Sequence, residues 1–105
     1  MVAEVVKSHS DELNRVCRHF RVRRLDLFGS AVASDFDSNQ SDLDFLVEFP
    51  RLGPREHADA YFGLHKSLRE LFGREIDLVE IEGVSNPYVR TAIERTRVQI
   101  YHGDA

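Results

Sequence analysis

A chain of 105 residues with a formal net charge of −4 is expected to form one domain, spanning 1–105, with a single hydrophobic core. Its 42% hydrophobic and 30% charged residues are ordinary for a globular protein, and the acidic balance argues against broad nucleic-acid binding through a basic surface. Cys17 has no second cysteine to bond with, no apolar run is long enough to span a bilayer, and Met1-Val2-Ala3-Glu4 does not open a signal peptide, so a cytoplasmic protein without a membrane partner is expected.

Val2, Val5, Val6, Leu13, Val16 and Cys17, with charges between them, predict an amphipathic helix over 2–19. Ser10, followed by Asp11 and Glu12, is equally suited to cap a fresh helix, which would break the first ten residues from the rest. A strand follows over 22–28 and ends at Gly29. Residues 31–41 are small and polar and predict a short helical turn and a loop. The clearest alternation lies over 42–49. There Leu43, Phe45, Val47 and Phe49 fall on one face, and Asp42, Asp44, Leu46 and Glu48 on the other.

Pro50, Gly53 and Pro54 close that strand. The stripe Ala58, Tyr61, Phe62, Leu64, Leu68, Leu71 and Phe72 predicts a helix over 55–72, with Gly73 as its C-terminal cap. A strand over 75–81, a turn over 83–86, a short helix over 87–95 opened by Pro87, and a last strand over 98–101 complete the chain. This order is that of an α/β (α+β) domain, a small mixed sheet flanked by helices.

Chemistry concentrates in three places. Strand alternation turns Asp42 and Asp44 to one side, close enough to share metal ions. Magnesium prefers oxygen ligands and keeps water and phosphate oxygens in its shell, and two such ions stabilise the attacking and leaving oxygens of an in-line displacement. Asp77 faces opposite to Ile76 and Leu78, and a carboxylate in so apolar a strand is costly to bury without a cation. Gly29 lets backbone approach a phosphate closely, and Ser30 adds a hydroxyl donor at an expected helix start.

Each residue also has a plainer reading. A lone Asp-x-Asp is commonly a solvated strand, Asp77 a strand-end charge, Gly29 a turn glycine and Ser30 a helix cap; it is their combination that favours a metal and nucleotide site. The loop Asp35-Phe36-Asp37-Ser38-Asn39 is not a calcium loop, because Gln40 stands where glycine is needed and Leu46 where a bidentate glutamate is needed. His57, Tyr61 and His65 share one helical face without the further ligands of a zinc set, which favours packing or an interface. Arg18, Arg21, Arg23 and Arg24 form a basic cluster that reads first as solvated surface and second as an attractor of nucleotide or an acidic partner.

Gly29-Ser30 followed by Asp42-Leu43-Asp44, with the later Asp77, resembles the signature of the polymerase-β-type nucleotidyltransferase superfamily. The short length and the run Leu25-Asp26-Leu27-Phe28-Gly29-Ser30 make the chain most similar to the minimal nucleotidyltransferases (MNT), partners of HEPN proteins in prokaryotic toxin–antitoxin pairs. The resemblance runs over 16–101 and includes Arg74-Glu75-Ile76-Asp77-Leu78-Val79 and Val98-Gln99-Ile100-Tyr101. It implies that Asp42 and Asp44 hold two Mg2+ ions, while Asp77 completes one metal site and orients or deprotonates the attacking hydroxyl. Gly29 and Ser30 would bind the β- and γ-phosphates of ATP.

The resemblance further implies an MNT-type antitoxin, a protein adenylyltransferase that moves AMP from ATP to a tyrosine hydroxyl of a HEPN RNase toxin. The run departs from the family's pattern at Ala33, where an arginine is usual, so a phosphate-contacting cation would have to come from elsewhere; Arg51, Arg55 and Arg74 are candidates. Two alternatives stand beside this reading. One is an antitoxin that neutralises its HEPN partner by binding alone. The other is a small nucleotidyltransferase with a non-protein acceptor, against which the lack of a second substrate-binding domain counts.

Overall fold

The computed structural model describes residues 4–29, 32 and 42–103. Helices α1 (Glu4–Lys7) and α2 (Ser10–His19) lead into β1 (Arg24–Phe28); β2 (Leu43–Glu48), α3 (Pro54–Phe72) and β3 (Ile76–Glu80) follow. A 3-10 turn at Ile81–Gly83, α4 (Pro87–Thr96) and β4 (Val98–His102) complete the order. The strands form one mixed sheet in the order β3-β2-β1-β4, with β1 antiparallel to both neighbours and β2 parallel to β3. This is the α+β architecture expected from the pattern of elements. Among the described residues, no helix is long and apolar enough to cross a membrane.

The N-terminal helix is broken, but Ser10 is not its cap. Ser10 is the first helical residue of α2, and His9 holds the cap position without a side-chain bond to the helix. The His9 ring turns back instead, with Nδ1 2.9 Å from the Val5 carbonyl oxygen and the ring edge-on to Phe72. β1 starts two residues later than the strand expected over 22–28. Arg21 takes the left-handed conformation at φ 60°, and the Val22 N–H donates to the Cys17 carbonyl, so residues 21 and 22 serve the end of α2. α3 opens with Pro54 and stops at Gly73, whose φ of 62° provides the expected left-handed cap. α4 is opened by Pro87 and capped by Asn86, whose side chain accepts from the N–H groups of Tyr88 and Val89.

Alternation along the strands divides the sheet into two faces. Leu25 and Leu27, Leu43, Phe45 and Val47, and Ile76 and Leu78 point into the core, where Leu13, Cys17, Leu64, Leu68 and Phe72 of α2 and α3 cover them. Phe45 and Phe72 stack at 5.8 Å. Helices α2 and α3 meet closely at Gly63, where a Cβ would lie 2.3 Å from the Phe20 ring.

α3 also seals the outer edge of the sheet. The Leu43 N–H donates to the Glu75 carbonyl, so the alternating carbonyls of Ile76 and Leu78 turn away from β2. His65 Nε2 lies 2.8 Å from the Ile76 carbonyl oxygen, the Tyr61 hydroxyl donates to the Leu78 carbonyl, and His57 Nε2 lies 2.6 Å from Glu80 Oε1. Three residues one helical turn apart thus meet three alternate residues of β3. Packing, the first expectation for this trio, is what the structure shows, and the bonds cover a strand edge that would otherwise be open.

Candidate active site

The second face of the sheet carries the candidate chemistry. In the register of the strands, Asp77 on β3 lies beside Asp44 on β2, and Asp44 lies beside Phe28 on β1. Residues opposite each other in a sheet point to the same side, so Asp44 and Asp77 converge. Asp42 immediately precedes β2 and is exposed, as is Asp77; Asp44 between them is half-buried.

Burial is the largest cause that pushes the Asp44 carboxyl up to about 6. A hydrogen bond to Asp77 follows, and the negative charges of Asp77 and Asp42 add to it. A bond between two carboxyl groups needs a proton in the middle, and a cation in the same place satisfies both as anions. The donor set is all oxygen, which suits a hard ion such as Mg2+. Among the described residues, no three His, Cys, Asp or Glu side chains draw together closely enough to enclose a metal by themselves. Two carboxylates are nevertheless an ordinary protein share for magnesium, whose shell is completed by water and substrate phosphates.

Gly29 follows β1 and passes directly against Asp44. Its φ is 74°, and a Cβ built on it would lie 2.5 Å from Asp44 Oδ2. Only glycine combines that backbone conformation with so close an approach. The Val32 N–H donates to the Gly29 carbonyl at 3.1 Å, and the Gly29 N–H donates to Thr96 Oγ1 at 3.4 Å, which ties the turn to the end of α4. Ser30, the other expected phosphate-binding residue, lies outside the described residues, as do Ala33 and the loop 35–39.

The topology also sorts the candidate cations. β2 and β3 are parallel, so Asp44 and Asp77 sit near their shared N-terminal end. Arg74 precedes β3 at that end. Arg51 and Arg55 follow β2 and lie at the opposite end of the sheet.

Asp26 is a feature the sequence reading did not single out. It is fully buried on the same side of the sheet as Asp44, with both oxygens bound to guanidinium groups. Arg24 Nε donates to Oδ1 at 2.9 Å, and Arg97 Nε donates to Oδ2. The bond to Asp26 holds the Arg24 guanidinium above its ordinary range. The only sequence signal was a charge inside Leu25-Asp26-Leu27.

A family model described as "Nucleotidyltransferase domain" matches residues 11–100. Two proteins of Methanocaldococcus jannaschii, each bearing the name putative protein adenylyltransferase, are 26% and 28% identical over 99 and 101 residues. Each alignment covers 94% of this chain and 94% of the relative. A solved structure of a putative minimal nucleotidyltransferase is 25% identical at a TM-score of 0.66, covering 93% of this chain and 95% of the other. A toxin–antitoxin structure with AMP-PNP shares the fold at a TM-score of 0.63 and 17% identity, covering 90% of this chain and 74% of that one. So does a tri-AMPylated Shewanella oneidensis HEPN toxin in complex with MNT antitoxin, at 0.61 and 16%, covering 92% and 72%.

Proposed function

The chain belongs to the nucleotidyltransferase domain family, and from that premise we propose that it is an MNT-type antitoxin. In this reading residues 1–105 form one minimal nucleotidyltransferase domain that transfers AMP from ATP to a tyrosine hydroxyl of a partner HEPN toxin and so neutralises it. The observation that carries the proposal is the pairing of Asp44 with Asp77, together with the close approach of Gly29 to Asp44. Structures of this fold include a complex with AMP-PNP and an AMPylated HEPN toxin, which supports both the nucleotide and the partner. A single cysteine, without a second to form an internal disulfide, suits a reducing, cytoplasmic setting.

Asp42, Asp44 and Asp77 are the residues that would hold magnesium, as two ions. Bound there, the metal supplies charge neutralisation for the triphosphate and for the leaving pyrophosphate. Asp77, exposed at the edge of the pair, orients the acceptor hydroxyl. The tyrosine oxygen attacks the α-phosphorus, the bond to the β-phosphate oxygen breaks, and pyrophosphate leaves. The hydroxyl proton passes to the Asp77 carboxylate and then to water. Gly29 brings its backbone against the phosphates, and Ser30 is assigned the role of a hydroxyl donor to them. Positioning and charge neutralisation supply most of the barrier reduction, so no strong base is required.

ATP labelled at the α-phosphate, mixed with Mg2+ and the HEPN partner, is expected to label the partner, while ATP labelled at the γ-phosphate leaves it unlabelled. Label from the γ-phosphate would make the protein a kinase and overturn the reading. A binding-only antitoxin is the second reading, favoured by Ala33 in the place of an arginine. It predicts protection of cells without label from either position.

A further inference from the structure

We propose that Arg97 is a nucleotide-binding residue, held on the Asp44 side of the sheet by the buried carboxylate of Asp26 so that it meets the triphosphate; this rests on the nucleotide-transfer reading above. The register supports it. Phe28 pairs with Asp44 and Asp44 with Asp77, while Leu27 pairs with Val98. Arg97 precedes Val98 in extended conformation, at φ −62° and ψ 136°, and therefore prolongs the row Asp77, Asp44, Phe28 onto β4. Two interstrand steps put its Cα about 10 Å from that of Asp44, a span that an extended triphosphate bridges.

The local chemistry points the same way. Thr96, the neighbour of Arg97, accepts the N–H of Gly29, so the α4–β4 junction is fastened to the turn over Asp44. Arg97 is anchored through Nε to an oxygen of Asp26, a carboxylate with no exposure at all. Its Nη1 reaches outward to Glu94, whose side chain is 55% exposed and free to yield to a stronger anion. A guanidinium fixed at Nε, with its side chain 18% exposed and Nη1 on a carboxylate that can be displaced, is arranged to exchange Glu94 for a phosphate oxygen. Burying Asp26 with two arginines is a costly way to hold a strand, since apolar side chains of similar volume commonly do that as well. Orienting a cation gives the buried carboxylate a use.

The test compares affinities of the metal-loaded protein for ATP and for AMP, because only ATP carries the β- and γ-phosphates. Arg97→Gln is expected to weaken ATP by roughly tenfold or more, the scale of one charge-assisted hydrogen bond, with AMP little changed. The double variant Asp26→Leu with Arg97→Met removes both buried charges and keeps an apolar core, and is expected to show the same selective loss. Arg97→Lys, which retains a charge, substitutes for either variant that does not fold and is expected to lose less than Gln but still more for ATP than for AMP. Folded variants without Arg97 whose ratio of ATP to AMP affinity equals the wild-type ratio would overturn the inference. Wild-type protein that binds neither nucleotide would instead sink the nucleotide-transfer reading itself.

Discussion

Gly29 passes so close to Asp44 that a Cβ on the glycine would lie 2.5 Å from the aspartate Oδ2. The contact joins a backbone turn to the most strongly perturbed carboxyl of the site, so substitution there acts on both. Gly29→Ala places a side chain in the left-handed region, costing about 1 kcal/mol, and also forces Asp44 to move. Thermal unfolding is expected a few degrees lower, and AMP transfer at least about tenfold slower, since misplaced groups lose rate steeply. Wild-type transfer by the Ala variant would remove the close approach from the mechanism.

Asp44→Asn and Asp77→Asn keep shape while removing charge. Each is expected to slow AMP transfer by at least about a hundredfold, because the charge that holds the cation against the phosphates is lost. Circular dichroism and the unfolding midpoint check that the fold survives. A variant with near-normal transfer would exclude that carboxylate from the site.

Acidity offers an independent view of the same pair. The Asp44 carboxyl is raised to about 6 from an ordinary 3.8, so the folded protein holds that proton more tightly than the unfolded chain does. Its stabilising contribution is complete below the ordinary value and is lost as pH rises through about 6. Metal-free protein should therefore melt at a lower temperature near pH 7.5 than near pH 5 through this group, and Asp44→Asn should flatten the difference. Added Mg2+ should raise the melting temperature at the higher pH and leave the Asn variant unmoved. A pH profile identical in wild type and Asp44→Asn would mean that the carboxyl titrates normally.

Tyr61→Phe tests the seal along β3. It leaves the Leu78 carbonyl without its donor and is expected to cost about 1–2 kcal/mol of stability. Amide exchange along Ile76–Glu80 should quicken more than exchange in β1. Since Leu78 adjoins Asp77, transfer should fall with this loosening. Unchanged exchange in β3 would show that packing alone holds the edge.

The sheet's division into an apolar and a polar face was legible from Leu43 to Glu48, because burial on one side leaves a period of two in the sequence. The Asp44–Asp77 neighbourhood was legible only as a pair of candidate strands; their parallel register depends on how α3 crosses between them. His57, Tyr61 and His65 were visible as one helical face, yet two of their partners are backbone carbonyls, which every residue possesses and no sequence pattern marks. The pairing of Asp26 with Arg97 joins positions 71 residues apart, beyond any local periodicity. The start of β1 differs from the expected strand for a physical reason: Val22 has the side chain of a strand residue, but its N–H serves the end of α2.

The central claim is transfer of AMP to a protein, and intact-mass measurement of the HEPN partner tests it most directly. After incubation with this protein, ATP and Mg2+, the partner is expected to gain whole AMP units on tyrosine and to lose RNase activity in proportion. A partner that is neutralised while its mass stays unchanged would contradict the account and leave binding alone as the antitoxin's action.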